Sequence, residues 1–162
     1  MTSDYISLTN CTVVTVDSDN KYFKNGTIVI KGNKIEDIGA ADDVQAKGTI
    51  IDLTGKLVMP GLINTHTHTP ATMFRGIGDD MFLEPWLKER MWPAEAHLTS
   101  DLAYLASRLG YWELLQNGVT TNLDMWGFAK SVAKAVQEIG CRSVVGHGLT
   151  TGSAEQSPSS FD

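Results

Sequence analysis

Met59-Pro60-Gly61-Leu62-Ile63-Asn64-Thr65-His66-Thr67-His68 is the stretch on which the fold turns. Its apolar start and polar end read as a short strand over 62–67, with Pro60-Gly61 delivering the chain into it. Residues two apart on a strand point to one face, so His66 and His68 are expected to project side by side from its C-terminal end. Two neutral imidazoles converging there can hold one Zn2+ or Fe2+ through ring nitrogens at about 2.0–2.1 Å. With four histidines in 162 residues, the HxH spacing alone carries little weight. Its place at the end of an apolar run, ahead of further strand–helix units, makes it a candidate metal site.

Downstream the pattern alternates. Thr99 or Ser100 caps a helix expected to run to Asn117, with Asp101 in its first turn. Leu102, Leu105, Leu109 and Trp112 recur at helical spacing and predict its buried face. Asn117-Gly118 stops it, and 119–125 reads as the next strand. A second helix over 128–139 carries Val132, Ala135, Val136 and Ile139 on one side, with Gly140 behind it. A third strand follows over 142–146. Strand, helix, strand, helix, strand is the signature of parallel βα units. The Ser-rich, aperiodic tail over 150–162 reads as loop.

Upstream, 1–59 is different. Short β-rich runs at 6–16, 27–31, 34–38, 49–53 and 56–59 are separated by turn residues, among them Asn25-Gly26, Gly32-Asn33 and Thr54-Gly55. Gly32-Asn33 signals a hairpin. The segment is expected to be an antiparallel β unit whose core is incompletely closed. The organisation is therefore a β portion over 1–59, βα units over 60–149, and a tail.

Composition sets the outer bounds. Apolar residues make up 42% and charged residues 20%, ordinary for a globular chain. A net charge of −6 argues against nucleic acid, which needs a basic face. Cys11 and Cys141 form no CxxC and are expected as reduced thiols. Without an n-region, h-region or apolar run of about 18 residues, the expectation is a cytoplasmic protein with no membrane partner.

The run from Val58 to Pro70 resembles the first barrel strand of the amidohydrolase superfamily. Met73-Phe74-Arg75-Gly76, Asp79-Asp80, Leu83-Glu84-Pro85-Trp86-Leu87 and Trp92-Pro93-Ala94-Glu95 resemble its branch of 5-methylthioadenosine/S-adenosylhomocysteine deaminases and triazine chlorohydrolases. That resemblance implies an α/β fold: the N-terminal part of a (β/α)8 TIM-type barrel preceded by a small β-sandwich unit. It implies one Zn2+ or Fe2+ held in part by His66 and His68, lowering the pKa of water so that hydroxide attacks a ring carbon of an adenosine-type nucleoside. Such a barrel takes about 250 residues, yet fewer than a hundred follow His68. The catalytic acid/base and the remaining ligands are therefore expected beyond Asp162. The isolated chain is expected to be an inactive fragment that needs a complementary C-terminal part, in an enzyme expected to be a homo-oligomer. Rival readings are another reaction of the superfamily, on triazines, guanine or cytosine, and a non-catalytic folding or assembly partner.

Several further residues are candidates. By resemblance, Glu84 is similar to a residue that accepts from ribose hydroxyls, a task that suits a carboxylate; as a residue alone it is an ordinary loop glutamate. Trp86 and Trp92 line a pocket wall or simply pack. His147, beyond the third strand, is a substrate-lining or a ligand imidazole, the lining role being the commoner. Asp124 either orients a neighbouring ligand or serves a local turn. Arg75 is expected to tie its loop to backbone carbonyls, and His97 to face solvent.

Overall fold

The computed structural model describes residues 4–148, so the tail expected as loop lies outside the described residues. The chain is mixed α/β and divides into two compact units between Pro60 and Gly61. Among the described residues, no helix is long and apolar enough to cross a membrane.

The first unit is a single sheet. β1 (Tyr5–Val14), β2 (Tyr22–Lys31) and β3 (Lys34–Ala40) form antiparallel pairs, and β4 (Thr49–Asp52) and β5 (Leu57–Val58) both pair with β1. The β2–β3 hairpin closes with Lys31 opposite Lys34, and Gly32 at φ +57° takes the turn conformation that favours glycine. The expectation of an all-antiparallel unit fails at β4 and β5, which run parallel to β1. The order β3-β2-β1-β4 explains it. The chain leaves β3 at one edge and crosses to the other side of β1, and that crossover returns it in β1's own direction. Ser7 fixes the crossing, donating to Lys47 O at 2.8 Å and accepting from Lys47 N at 2.7 Å. Cys11, Val13 and Ile28 form the buried core, while Tyr22, Ile35, Ile50 and Leu57 stay more than half exposed.

Among the described residues, the second unit has three parallel strands in the order β6 (Leu62–Thr67), β7 (Val119–Trp126), β8 (Arg142–His147). Helix α3 (Ser100–Gln116) connects β6 to β7, and α4 (Ala129–Ile139) connects β7 to β8. Thr99 caps α3 by accepting from Leu102 N at 3.3 Å, and Gly118 and Gly140 follow the two helices at φ +79° and +81°. Tyr111, Val132, Ala135 and Cys141 are the buried centre between the helices and the sheet.

Two expectations change here. α3 does not bury its leucine stripe: Leu102, Leu105, Leu109 and Trp112 are 36% to 56% exposed, and Ala103, Ala106, Ser107, Gly110 and Tyr111 face inward. The reason is close approach. A Cβ on Gly110 would stand 2.8 Å from Thr72 Oγ1 and 3.1 Å from Thr69 Cβ, so only a small-residue face can lie this near.

The stretch after β6, read as loop, is largely helical: a 3-10 turn (Thr69–Phe74), then α1 (Leu83–Trp86), a π-turn (Leu87–Met91) and α2 (Trp92–Glu95) without interruption. Pro93 has no N–H for the carbonyl four residues back, and the wider turn falls just before it.

Candidate active site

β6 carries His66 and His68 to one place, their ring centroids 4.8 Å apart and nearly perpendicular. The strand is not regular there. Asn64 pairs with Asn122 and Thr67 with Asp124, so β6 holds one extra residue across this interval. A bulge of this kind re-aims side chains at a strand end. Asn64 Oδ1 accepts from His66 N at 3.0 Å and steadies it.

His68 is the better fixed of the two. Its Nδ1 lies 2.6 Å from Met125 O. A carbonyl only accepts, so Nδ1 carries a proton, and in a neutral ring that leaves the lone pair on Nε2. The Trp126 ring lies 5.1 Å from the His68 ring. Among the described residues, no group of three or more His, Cys, Asp or Glu could hold a metal ion.

Behind the histidines lies a buried polar network. Asp124, fully buried, accepts from Thr69 N at 3.2 Å, from Thr69 Oγ1, and from Tyr111 OH at 2.9 Å. Tyr111 also meets Ser143 Oγ at 3.0 Å, and Thr69 Oγ1 reaches Ser107 Oγ at 3.2 Å. Burial pushes the Tyr111 phenol up to about 12. Of the two roles left open for Asp124, the local turn is excluded by its partners, 13 and 55 residues away.

Other expected residues stand apart. Glu84 is paired with Lys88 on an exposed helical turn, its side chain 76% exposed. Trp86 is half-buried against Gly78, where an added Cβ would come within 2.5 Å of its ring. His147 is the last residue of β8 rather than a loop residue, in register with Trp126, and its Nε2 is buried without a partner among the described residues. Among the described residues, Arg75 grips no backbone carbonyl but makes a two-pronged ion pair with Glu113 at 2.7 and 3.1 Å, which holds that carboxyl below its usual range. His97 is exposed, as expected.

Sequence reasoning missed Thr69, Tyr111 and Glu95 as site-forming residues. Glu95 is half-buried, and desolvation raises its carboxyl pKa. Pro93 and Trp92 were visible signals of a structured segment, but only the fold brings Glu95 toward β6.

Comparisons with known proteins identify the family and the fold. The sequence model of the amidohydrolase family matches residues 57–161. A 5'-deoxyadenosine deaminase of Methanosarcina mazei is 44% identical over 144 residues, 89% of this chain and 33% of the relative. A 5-methylthioadenosine/S-adenosylhomocysteine deaminase of Symbiobacterium thermophilum is 39% identical over 140 residues, 85% of this chain and 32% of the relative. Among solved structures, a triazine hydrolase from Arthrobacter aurescens superposes with a TM-score of 0.85 at 23% identity, over 94% of this chain and 38% of its own. An adenosine deaminase from Xanthomonas campestris with bound zinc does so at 0.81 and 25%, over 86% and 33%. The chain thus spans about a third of the length of the curated relatives it matches.

Proposed function

The chain belongs to the amidohydrolase family, and on that premise we propose that it forms the N-terminal third of a zinc-dependent hydrolytic deaminase of adenosine-type nucleosides. The observation that carries this reading is the pair of imidazoles 4.8 Å apart at the end of β6, one of them held through Nδ1 by Met125 O. Neutral imidazole nitrogen suits Zn2+ or Fe2+, so His66 and His68 fit as two of the metal's ligands. Bound there, the metal supplies water acidified toward neutrality. His68 is oriented by Met125 O, and Thr69, the next residue, is anchored in the buried network behind it.

The substrate class rests on relatives whose names specify 5'-deoxyadenosine and 5-methylthioadenosine. Trp86 and His147 are proposed to line the nucleoside pocket. Glu84 is proposed for the ribose hydroxyls, a role that requires it to leave Lys88. Three parallel strands with crossover helices support the start of a (β/α)8 barrel over 60–149, and the half-covered sheet over 1–59 supports part of a β-sandwich. A complementary C-terminal polypeptide would supply the rest of the site, in a homo-oligomer.

The test uses the protein as isolated, with any polypeptide that accompanies it. Zinc and iron are measured, and 5'-deoxyadenosine and 5-methylthioadenosine are followed by the fall in adenine absorbance. His66→Gln and His68→Gln are expected to lower metal content at least tenfold, an order-of-magnitude figure for losing a ligand, and to abolish turnover. Full metal and unchanged turnover in both variants would overturn the assignment. Preference for a triazine or guanine would move the substrate class.

A further inference from the structure

Residues 68 and 69 are stitched to two consecutive residues of β7. His68 Nδ1 donates to Met125 O at 2.6 Å, and Thr69 N donates to Asp124 Oδ1 at 3.2 Å while Thr69 Oγ1 donates to Oδ2. His68 sits at φ −140°, ψ 72°, outside regular strand or helix, where the strand gives way to the 3-10 turn. Nothing in the β6 ladder holds it, because the register with β7 ends at Thr67. The backbone of His68 is held by its own carbonyl, which accepts from Ala71 N at 3.0 Å, and by what anchors Thr69, while the ring direction follows from the distance between that backbone and Met125 O. All three groups on Asp124 are donors. A carboxylate can serve them all, whereas an amide would turn an NH2 against one of them.

We infer that Asp124 is a positioning residue: by pinning Thr69 it fixes the ring of His68 in the Nδ1–H form, with Nε2 presented to the front of the strand end. This rests on the reading of His68 as a metal ligand only for its purpose, not for its geometry. A purely structural Asp124 would affect stability and leave the tautomer of His68 alone.

The test labels histidine with 15N in the isolated protein, with any accompanying polypeptide, and reads each ring's tautomer near pH 8. Wild type and Thr69→Ser are expected to hold His68 in the Nδ1–H form. Thr69→Val and Asp124→Asn are expected to move it toward the Nε2–H form that free histidine prefers, with His97 unchanged. Zinc added to the wild type is expected to shift His66 and His68 together, and Thr69→Val to need about tenfold more zinc. An unchanged His68 tautomer in folded Thr69→Val and Asp124→Asn would overturn the inference. If Asp124→Asn does not fold, the Thr69→Val and Thr69→Ser pair decides it, identical tautomers counting against. If zinc shifts neither ring in the wild type, the ligand reading falls, while the tautomers still decide the positioning role.

Discussion

Tyr111 shows how much of the site hangs on single buried hydroxyls. It lies fully buried on α3, and burial lifts its phenol from 10.0 to about 12. The folded chain therefore keeps a proton that the unfolded chain releases, so this group's stabilisation is complete below about pH 10 and is lost as pH rises through 12. A rise of that size corresponds to about 2–3 kcal/mol. Tyr111→Phe is expected to flatten the alkaline loss while costing about 1–3 kcal/mol at neutral pH, because Asp124 loses a donor. Denaturant unfolding near pH 8 and pH 11 checks this, and equal alkaline losses in both proteins would refute it. His66 and His68 were legible because their spacing is local. Thr69 and Tyr111 were not, and Asp124 was legible only with its role open, because their hydrogen bonds span 13 and 55 residues and buried polar pairing leaves no periodic trace.

α3 makes the same point one level up. Its cap, its length and its glycine stop could be read from residues 99–118, since each is a local property of the backbone. Its buried face could not. Hydrophobic spacing favoured the leucines, but the approach to the 3-10 turn selected Ala103, Ala106, Ser107 and Gly110. Gly110→Ala should therefore destabilise the second unit by about 1–2 kcal/mol, the overpacking cost outweighing the helix propensity gained. Leu105→Gln, on the exposed side, should stay within about 0.5 kcal/mol. Thermal unfolding of the two variants checks the pair, and the reverse order would mean that the leucine face is the buried one. The parallel pairing of β4 and β5 escaped sequence reading for a related reason. Turn residues mark where strands end, but strand order depends on where a crossover lands.

At the scale of the whole molecule, the described strands leave apolar faces and edges exposed. Among the described residues, β6 and β8 each pair only with β7, and Ile63 and Val144 are 70% and 65% exposed on them. Parallel strands are ordinarily covered on both faces. Catalytic zinc usually takes three protein ligands, and the histidine pair offers two. Expressed alone, the 162-residue polypeptide is expected to hold well under one equivalent of zinc or iron, to turn over no nucleoside, and to self-associate. Metal analysis, the adenine absorbance assay and sedimentation check this. Stoichiometric metal with turnover would mean that a full site lies within these residues.

The crossover between β3 and β4 also has a consequence in time. β1 is synthesised before every strand it pairs with, and its two parallel neighbours are the latest to arrive: Ile6 waits for Thr49, and Val13 waits for Val58. While the chain emerges from the ribosome, β1 can find β2 early, but its other edge stays bare until the residues just ahead of Pro60 are out. Such distant pairings close slowly, because loop entropy is lost before the contacts form. The nascent β sheet thus has an interval in which a bare strand edge is offered to any other chain nearby. The Ser7–Lys47 clasp is the contact that can begin to end it.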